Sequence, residues 1–290
     1  MTRAEIGVIG GSGLYDIEGM SNVQYLDVDT PFGKPSDTLV VGNLEGVSVA
    51  FLPRHRRGHG LLPSELPSRA NMYALRELGV TQIIAASAVG SLRETLRPMD
   101  MVVPDQLFDR TKDRPSTFFG EGIVAHIPFA EPFCSGVAGA LEEASGAVVE
   151  RTHRGGTYVC IEGPAFSTFA ESTTYRHLGF DVIGMTALPE AKLAREAQMC
   201  YAILAQVTDY DCWRQDEETV TSDMVMENVA RNATNAKAII RRVVPRLSGR
   251  SDCSCRHALE GAVVTSREAM PLVTRERLRL LLEGSPSPTS

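Results

Sequence analysis

The sequence has no apolar run approaching the ~20 residues that would cross a bilayer. Its opening, Met1-Thr2-Arg3-Ala4-Glu5, leads into a short apolar strand without the hydrophobic centre of a secretory signal. Basic residues are not in excess: 29 Lys and Arg face 36 Asp and Glu, for a net charge of −7. That balance speaks against a dedicated nucleic-acid binder, which shows a basic face. Six cysteines in 290 residues do not make a disulfide scaffold. No internal repeat and no Pro/Gly/Ser-rich linker divides the chain. With 43% hydrophobic and 22% charged residues, the composition is that of an ordinary soluble globular protein, and a cytoplasmic enzyme is the expectation.

Two nucleotide-binding signatures are missing as well. Ile6-Gly7-Val8-Ile9 reads as a short strand followed by Gly10-Gly11-Ser12-Gly13, but the third glycine of a dinucleotide fingerprint falls on Asp16. No Gly-Lys-Ser/Thr closes a P-loop. Glycines there still let backbone N–H groups approach an anion, with Ser12 adding a hydroxyl, although a ligand-free tight turn has the same composition. Cys253-Ser254-Cys255 is close-spaced in a polar segment and could be a redox pair or half of a metal site. No second Cys/His pair stands at zinc spacing and His257 alone does not complete one, so incidental thiols and no metal are the expectation. Cys160, Cys200 and Cys212 lie in or beside apolar runs and read as buried thiols.

What is present centres on Thr208-Asp209-Tyr210-Asp211-Cys212-Trp213, which follows the apolar run Cys200–Val207. Such a run predicts a strand buried on both faces, as in a mostly parallel α/β sheet. Open α/β sheets bind ligands beyond the carboxyl ends of their strands, which is where Asp209 and Asp211 would sit. Asp in that position also serves as a turn or cap residue.

Other segments repeat the pattern of strand followed by a chemically suggestive loop. Residues 38–52 predict a hairpin turning over Asn43–Gly46, then Pro53-Arg54-His55-Arg56-Arg57-Gly58-His59. So many potential cations after a strand suggest an anion site, since Arg offers a fork that matches phosphate; a solvated basic loop is the alternative. Pro67 to Leu78 predicts a helix ended by Gly79. Thr81–Ala88 predicts a second buried strand, opening onto Val89-Gly90-Ser91. Met101–Pro104 predicts a short strand, and the turn-rich stretch from Asp105 to Phe133, with His126 inside it, is long enough to suggest function. A helix near 135–145 and a strand over Thr157–Ile161 follow, then the sharp break Glu162-Gly163-Pro164-Ala165-Phe166-Ser167. Phe166 there could stack on a flat ligand or enter the core. Asp181–Thr186 ends another strand, where Thr186 could offer a hydroxyl and Met185 would ordinarily be core. Helices are expected over Pro189–Gln198, over Ser222–Val244 with Ser222 or Thr221 as cap, and over roughly Thr274–Leu282.

Taken together, Val8–Leu14, Thr30–Asp37, Arg54-His55, Gly90–Glu94, His126–Cys134, Ile161–Ser167, Met185-Thr186 and Thr208–Trp213 resemble the S-methyl-5′-thioadenosine phosphorylases, a branch of the trimeric purine nucleoside phosphorylase family. The resemblance implies one α/β catalytic domain over residues 1–284, with a central mixed, mostly parallel sheet flanked by helices, and a frayed tail at 285–290. It implies a homotrimer, two of which could form a hexamer, and no cofactor, inorganic phosphate being a co-substrate. Phosphate would attack the anomeric carbon of a nucleoside through an oxocarbenium-like state while the purine departs.

By resemblance, Ser12, Arg54, His55, Ser87, the backbone N–H of Ala88 and Thr186 would hold phosphate. Phe166 would stack near the base and Ser167 would bond its edge. Asp209 would protonate or hydrogen-bond the purine N7, and Asp211 would accept from the C6 amine, favouring adenine over a 6-oxopurine. Met185 would contact the ribose, Ser222 and Val225 would line the 5′ pocket, and His126 would reach the neighbouring subunit's site. Ser222 stands where the family usually has Val, Val89 where Cys is common, and Gly184 where Asn is found. The Ser222 change leaves open another 5′-modified adenosine (5′-halogeno or 5′-deoxy) or adenosine itself as substrate. A nucleotide-binding oxidoreductase and a non-catalytic purine-binding protein are the remoter alternatives.

Overall fold

The structure, a computed structural model, describes residues 3–11, 14, 18–214, 222–250 and 252–283, without the side chains of 222–226. Ser12, Thr221 and the expected tail at 285–290 lie outside the described residues, as do the side chains of Ser222 and Val225.

The chain runs β1 (Ile6–Gly10), β2 (Ser21–Leu26), β3 (Leu39–Leu44), β4 (Val47–Pro53), α1 (Ser68–Glu77), β5 (Gln82–Ser91), β6 (Met101–Val103), β7 (Gln106–Arg110) and α2 (Ser135–Gly146). It continues with β8 (Thr152–Arg154), β9 (Thr157–Ile161), α3 (Phe169–His177), β10 (Val182–Gly184), α4 (Ala187–Glu196), β11 (Cys200–Asp209), α5 (Ser222–Leu247), α6 (Leu272–Arg277) and α7 (Arg279–Leu282). The strands form one mixed sheet. Parallel pairs join β4 to β1, β1 to β5, β5 to β11, β6 to β8, β7 to β9 and β9 to β10. Antiparallel pairs join β2 to β3, β3 to β4, β5 to β10 and β6 to β11.

Alternation along the central strands explains the layers. Ile83, Ala85, Ile203 and Ala205 face one core with α1 and α4. Ile84, Ala86, Ala202 and Leu204 face the other with α2 and α5. Both faces of β5 and β11 are therefore covered, which is why their sequences read as unbroken apolar runs.

The expected elements form, with shifts of a few residues at their ends. Gly79, in the left-handed region at φ +91°, ends α1 as its composition suggested. The long connection after β6 is not wholly irregular: β7 extends the sheet along β9. β2, β7, β8 and α3 leave little signal in the sequence because each is mostly exposed or short, α3 burying only Ser172 and Tyr175. For α3 a signal existed, since Thr168 and Glu171 form a capping box at its start.

Candidate active site

β5 is the axis of the site. Its first part runs parallel to β1 and β11, and its last residues pair antiparallel with β10, with Val182 opposite Ser91 and Ile183 opposite Gly90. Continuing that register past the end of β10 brings Thr186 back beside Ser87. The two hydroxyls lie 3.0 Å apart, and the Tyr158 hydroxyl is 3.3 Å from Ser87 Oγ. Next in the chain, Ala88 is exposed although its neighbours on the strand are buried, so the sheet opens there.

β4 lies parallel to β1, with Pro53 opposite Gly10, and the Arg54 amide donates to the Gly10 carbonyl at 2.9 Å. This places the start of the glycine loop directly beside Arg54. The Arg54 side chain is 2% exposed and turns inward. Its Nε and Nη2 donate to the two carboxylate oxygens of Glu190 at 2.5 and 3.0 Å, and its Nη1 donates to the Ala86 carbonyl at 2.7 Å. Burial pulls the guanidinium toward the neutral form, but the Glu190 charge and hydrogen bonds overcome it and its pKa is raised. Tyr201 donates to Glu190 Oε2 at 2.9 Å and completes the buried group.

Of the rest of the basic run, His59 stacks on His55 with ring centroids 4.5 Å apart, but the two remaining arginines turn elsewhere. Arg57 is salt-bridged to Asp37 at 2.6 Å, and Arg56 donates to the Ser36 carbonyl at 3.3 Å. His55 is no cation near neutrality: burial, foremost, pushes its pKa down to about 4. Its Nδ1 donates to the Leu61 carbonyl at 2.9 Å, which leaves Nε2 as an acceptor. One buried, ion-paired arginine and a neutral imidazole replace the cluster of charges.

At the far end of β5, β11 carries the acidic pair. A register shift between Val207 and Asp209 sets Asp209 opposite Gly90, and such a bulge re-aims a side chain. Gly90 makes the room: a Cβ there would stand 3.0 Å from Asp209 Oδ1 and 3.4 Å from the Asp211 Cβ. Asp209 accepts from the Thr208 hydroxyl at 2.7 Å and from the Asp211 amide at 2.8 Å, yet burial outweighs both and its pKa is raised. The Asp211 carboxyl is also raised, by burial first, with the charge of Asp209 adding to it. No hydrogen bond of good geometry ends on Asp211 Oδ2 or Ser167 Oγ, but the Ser172 and Ser167 hydroxyls lie near enough to the Asp211 carboxyl to pull against the rise in its pKa. The Cys212 thiol lies 3.3 Å from the Ser167 carbonyl, joining the acidic segment to the loop that bears Phe166, which is 45% exposed.

Met185 sits between the two ends, half-buried, against Gly163, where an added Cβ would meet its sulfur at 2.5 Å. His126 is exposed on the connection after β7, with its amide donating to the Ala262 carbonyl at 2.8 Å. Sequence reasoning missed Glu190, Tyr201, Tyr158 and Arg114. Buried Arg114 donates to the carbonyls of Met185 and Leu188, each at 2.7 Å, and to Glu162 at 3.2 Å, tying the ends of β9 and β10 together.

Residues 5–245 match the family model described as the phosphorylase superfamily. A curated S-methyl-5′-thioadenosine phosphorylase of Gloeobacter violaceus is 54% identical over 290 residues, covering 98% of this chain and 97% of that protein. The crystal structure of a methylthioadenosine phosphorylase from an antarctic soil metagenomic library superposes with a TM-score of 0.93 at 51% identity, covering 97% of this chain and all of that one. The chain belongs to the S-methyl-5′-thioadenosine phosphorylase branch of the phosphorylase superfamily. A methylthioadenosine phosphorylase from Schistosoma mansoni in complex with adenine shares the fold, with a TM-score of 0.82 and 36% identity over 98% of this chain and 99% of that one.

Against that family background, Gly184 has a physical reason. A Cβ at position 184 would lie 2.0 Å from the Tyr158 hydroxyl. Tyr158 thus occupies the space that an Asn side chain would need. It is fully buried, and burial pushes its phenol up to about 12, so it serves as a neutral hydrogen-bonding group beside Ser87.

Proposed function

We propose that the protein catalyses phosphorolysis of the N-glycosidic bond of S-methyl-5′-thioadenosine, releasing adenine and S-methyl-5-thioribose 1-phosphate. It acts as a pentosyltransferase with phosphate as co-substrate and no organic cofactor. The observation that carries this reading is the spacing on β5. Ser87, with its hydroxyl partners, and Gly90, against the acidic pair, are three residues apart, roughly 10 Å along a strand. Phosphate and purine flank one anomeric carbon on opposite faces, and that separation leaves room for an anion beside Ser87 and a base edge beside the acidic pair.

Phosphate is held by Ser12, Arg54, His55, Ser87, the Ala88 amide and Thr186. Glu190 occupies two donors of Arg54, so the guanidinium meets the anion with its remaining N–H groups in a fixed plane. Such positioning of the nucleophile can contribute up to ~7–11 kcal/mol in ideal cases. Neutral His55 accepts a proton-bearing phosphate oxygen through Nε2 rather than adding charge. Asp209, held protonated more readily by burial, gives its proton to the purine N7 as the bond to the oxocarbenium-like sugar breaks. Asp211 Oδ2 and Ser167 Oγ, neither held in a well-formed hydrogen bond, take the C6 amine and the ring edge. Phe166 covers the base, and Met185 lies against the ribose. Residues 1–284 act as one catalytic domain in the cytoplasm, where the assembly is a homotrimer in which exposed His126 reaches a neighbour's 5′ pocket beside Ser222 and Val225.

A second reading concerns the 5′ group alone. Ser222, where the family usually has Val, makes that wall smaller and more polar, which favours a 5′-halogeno, 5′-deoxy or 5′-hydroxyl group. Adenine release from 5′-methylthio-, 5′-chloro-, 5′-fluoro- and unmodified adenosine, each with and without phosphate, decides. The 5′-methylthio substrate should lead in kcat/KM, and every rate should require phosphate. A lead of more than about tenfold for another substrate, a margin of ~1.4 kcal/mol, would give the second reading precedence. Phosphate independence would overturn both.

A further inference from the structure

The sequence offered half of a metal site in Cys253-Ser254-Cys255, and the fold brings up the other half. Cys134 precedes the first turn of α2, Cys200 opens β11, and Cys253 and Cys255 lie in the short helical turn after α5. All four sulfurs lie within 4.8 Å of one another, and Cys134 Sγ and Cys253 Sγ are 3.6 Å apart. Four thiolates around a tetrahedral ion at about 2.3 Å define a cage with edges of roughly 3.8 Å. The cluster is thus close to that size with the backbone where it stands. Cys134, Cys200 and Cys255 are buried and Cys253 is half-buried, within the core formed by α2, α5 and the sheet. Among the described residues, no His, Asp or Glu shares the group. An all-sulfur donor set in apolar surroundings selects thiophilic ions over magnesium or calcium.

We propose that Cys134, Cys200, Cys253 and Cys255 form a structural site for a thiophilic divalent cation of the zinc class. Four protein ligands leave no open coordination position, so the ion staples and does not catalyse. On binding, each thiol gives up its proton to solvent and its sulfur joins the ion; no electron is transferred. The staple fixes the segment after α5 to the junction of α2 and β11, where the Cys134 amide already donates to the Tyr201 carbonyl at 2.8 Å. Farther along that segment, Ala262 accepts the His126 amide, and Ala125 bridges Val263. Metal binding therefore tethers the connection that carries His126. Cys200, which the sequence alone presents as a simple buried thiol, gains a role.

The full-length protein, purified reduced from zinc-supplemented cells, should carry about one zinc per chain by elemental analysis. Replacement by Co2+ should give the intense thiolate-to-metal charge-transfer and d–d bands of a tetrahedral sulfur site. Cys255→Ser should lower retained metal at least about tenfold, because affinity follows ligand identity and count. Cys160→Ala, whose thiol lies outside the cluster, should keep its metal. Should Cys255→Ser fail to fold, stripping the wild-type protein with a chelator reads the same effect as a fall in Tm reversed by Zn2+. A reduced protein that binds neither Zn2+ nor Co2+, or a metal-free one whose mass shows the four thiol hydrogens lost to two disulfides, overturns the proposal.

Discussion

The two ends of the site are built on opposite principles. At the proposed phosphate end, polar groups are buried and already paired: Arg54 with Glu190 and Ala86, Tyr201 with Glu190, Ser87 with Thr186. At the proposed purine end, Asp211 Oδ2 and Ser167 Oγ are buried with no well-formed hydrogen bond, the Ser172 and Ser167 hydroxyls only approaching the carboxyl, beside a half-open Phe166. A buried polar atom without a partner costs about 1–3 kcal/mol. The proposed purine end therefore carries part of such a cost, which a bound base would relieve. The proposed phosphate end settles its electrostatics within the fold, so that an anion bound there would meet donors with little left to reorganise.

That contrast predicts which variants unfold the protein and which only slow it. The largest effect should come from Glu190→Ala, which strands the buried Arg54 charge. Breaking such a pair costs about 3–5 kcal/mol, readable as a drop in the urea midpoint, with Glu190→Gln recovering part of it. Unchanged stability would mean that the phosphate end is not held by its ion pair. Asp209→Asn should fold normally yet lose at least about 100-fold in turnover with adenine nucleosides, the low end for a lost general acid. Its KM for phosphate should stay near wild-type. Wild-type turnover should fall as pH rises through the raised Asp209 pKa, and the variant should lose that limb.

Gly184→Ala sets a Cβ 2.0 Å from the Tyr158 hydroxyl, overpacking that costs about 1–3 kcal/mol. Here KM for phosphate should rise while base preference holds; a change in base preference instead would join the two ends and end the contrast. The last effect is on acid stability. His55 has its pKa lowered from 6.5 to about 4 in the fold, so its contribution is present above 6.5 and is lost as pH falls from there through 4. The raised carboxyls of Asp209, Asp211 and Glu196 act the other way, their contribution being present at low pH and lost as pH rises through their folded values. Replacing His55 with Asn should flatten the loss between pH 6.5 and 4 in thermal melts.

The sequence showed what depends on neighbours along the chain. β5 and β11 were legible because both faces are buried, and Asp209 because it follows the apolar run. The small residues around Gly90 suggest room for a ligand in the sequence, whereas in the fold the space beside Gly90 is taken by Asp209, Asp211 and Ile183. What stayed hidden depends on distant partners. Glu190 reads as an ordinary residue in the first turn of a helix, since Arg54 stands 136 positions away. The basic run after β4 misled because composition cannot tell which arginine turns inward, nor that His55 loses its charge. Tyr158 became visible as part of the phosphate end only through the missing Cβ of Gly184.

The backward pairing of β10 against β5 carries a constraint of its own. Thr186 meets Ser87 only because the strands run in opposite directions and count toward each other from Val182 and Ser91. Removing a single residue between Ile183 and Thr186 would turn the threonine to the other side of the sheet. Evolution can exchange side chains along that stretch, but it cannot shorten it, and a homologue with a gap there should have lost its grip on the anion.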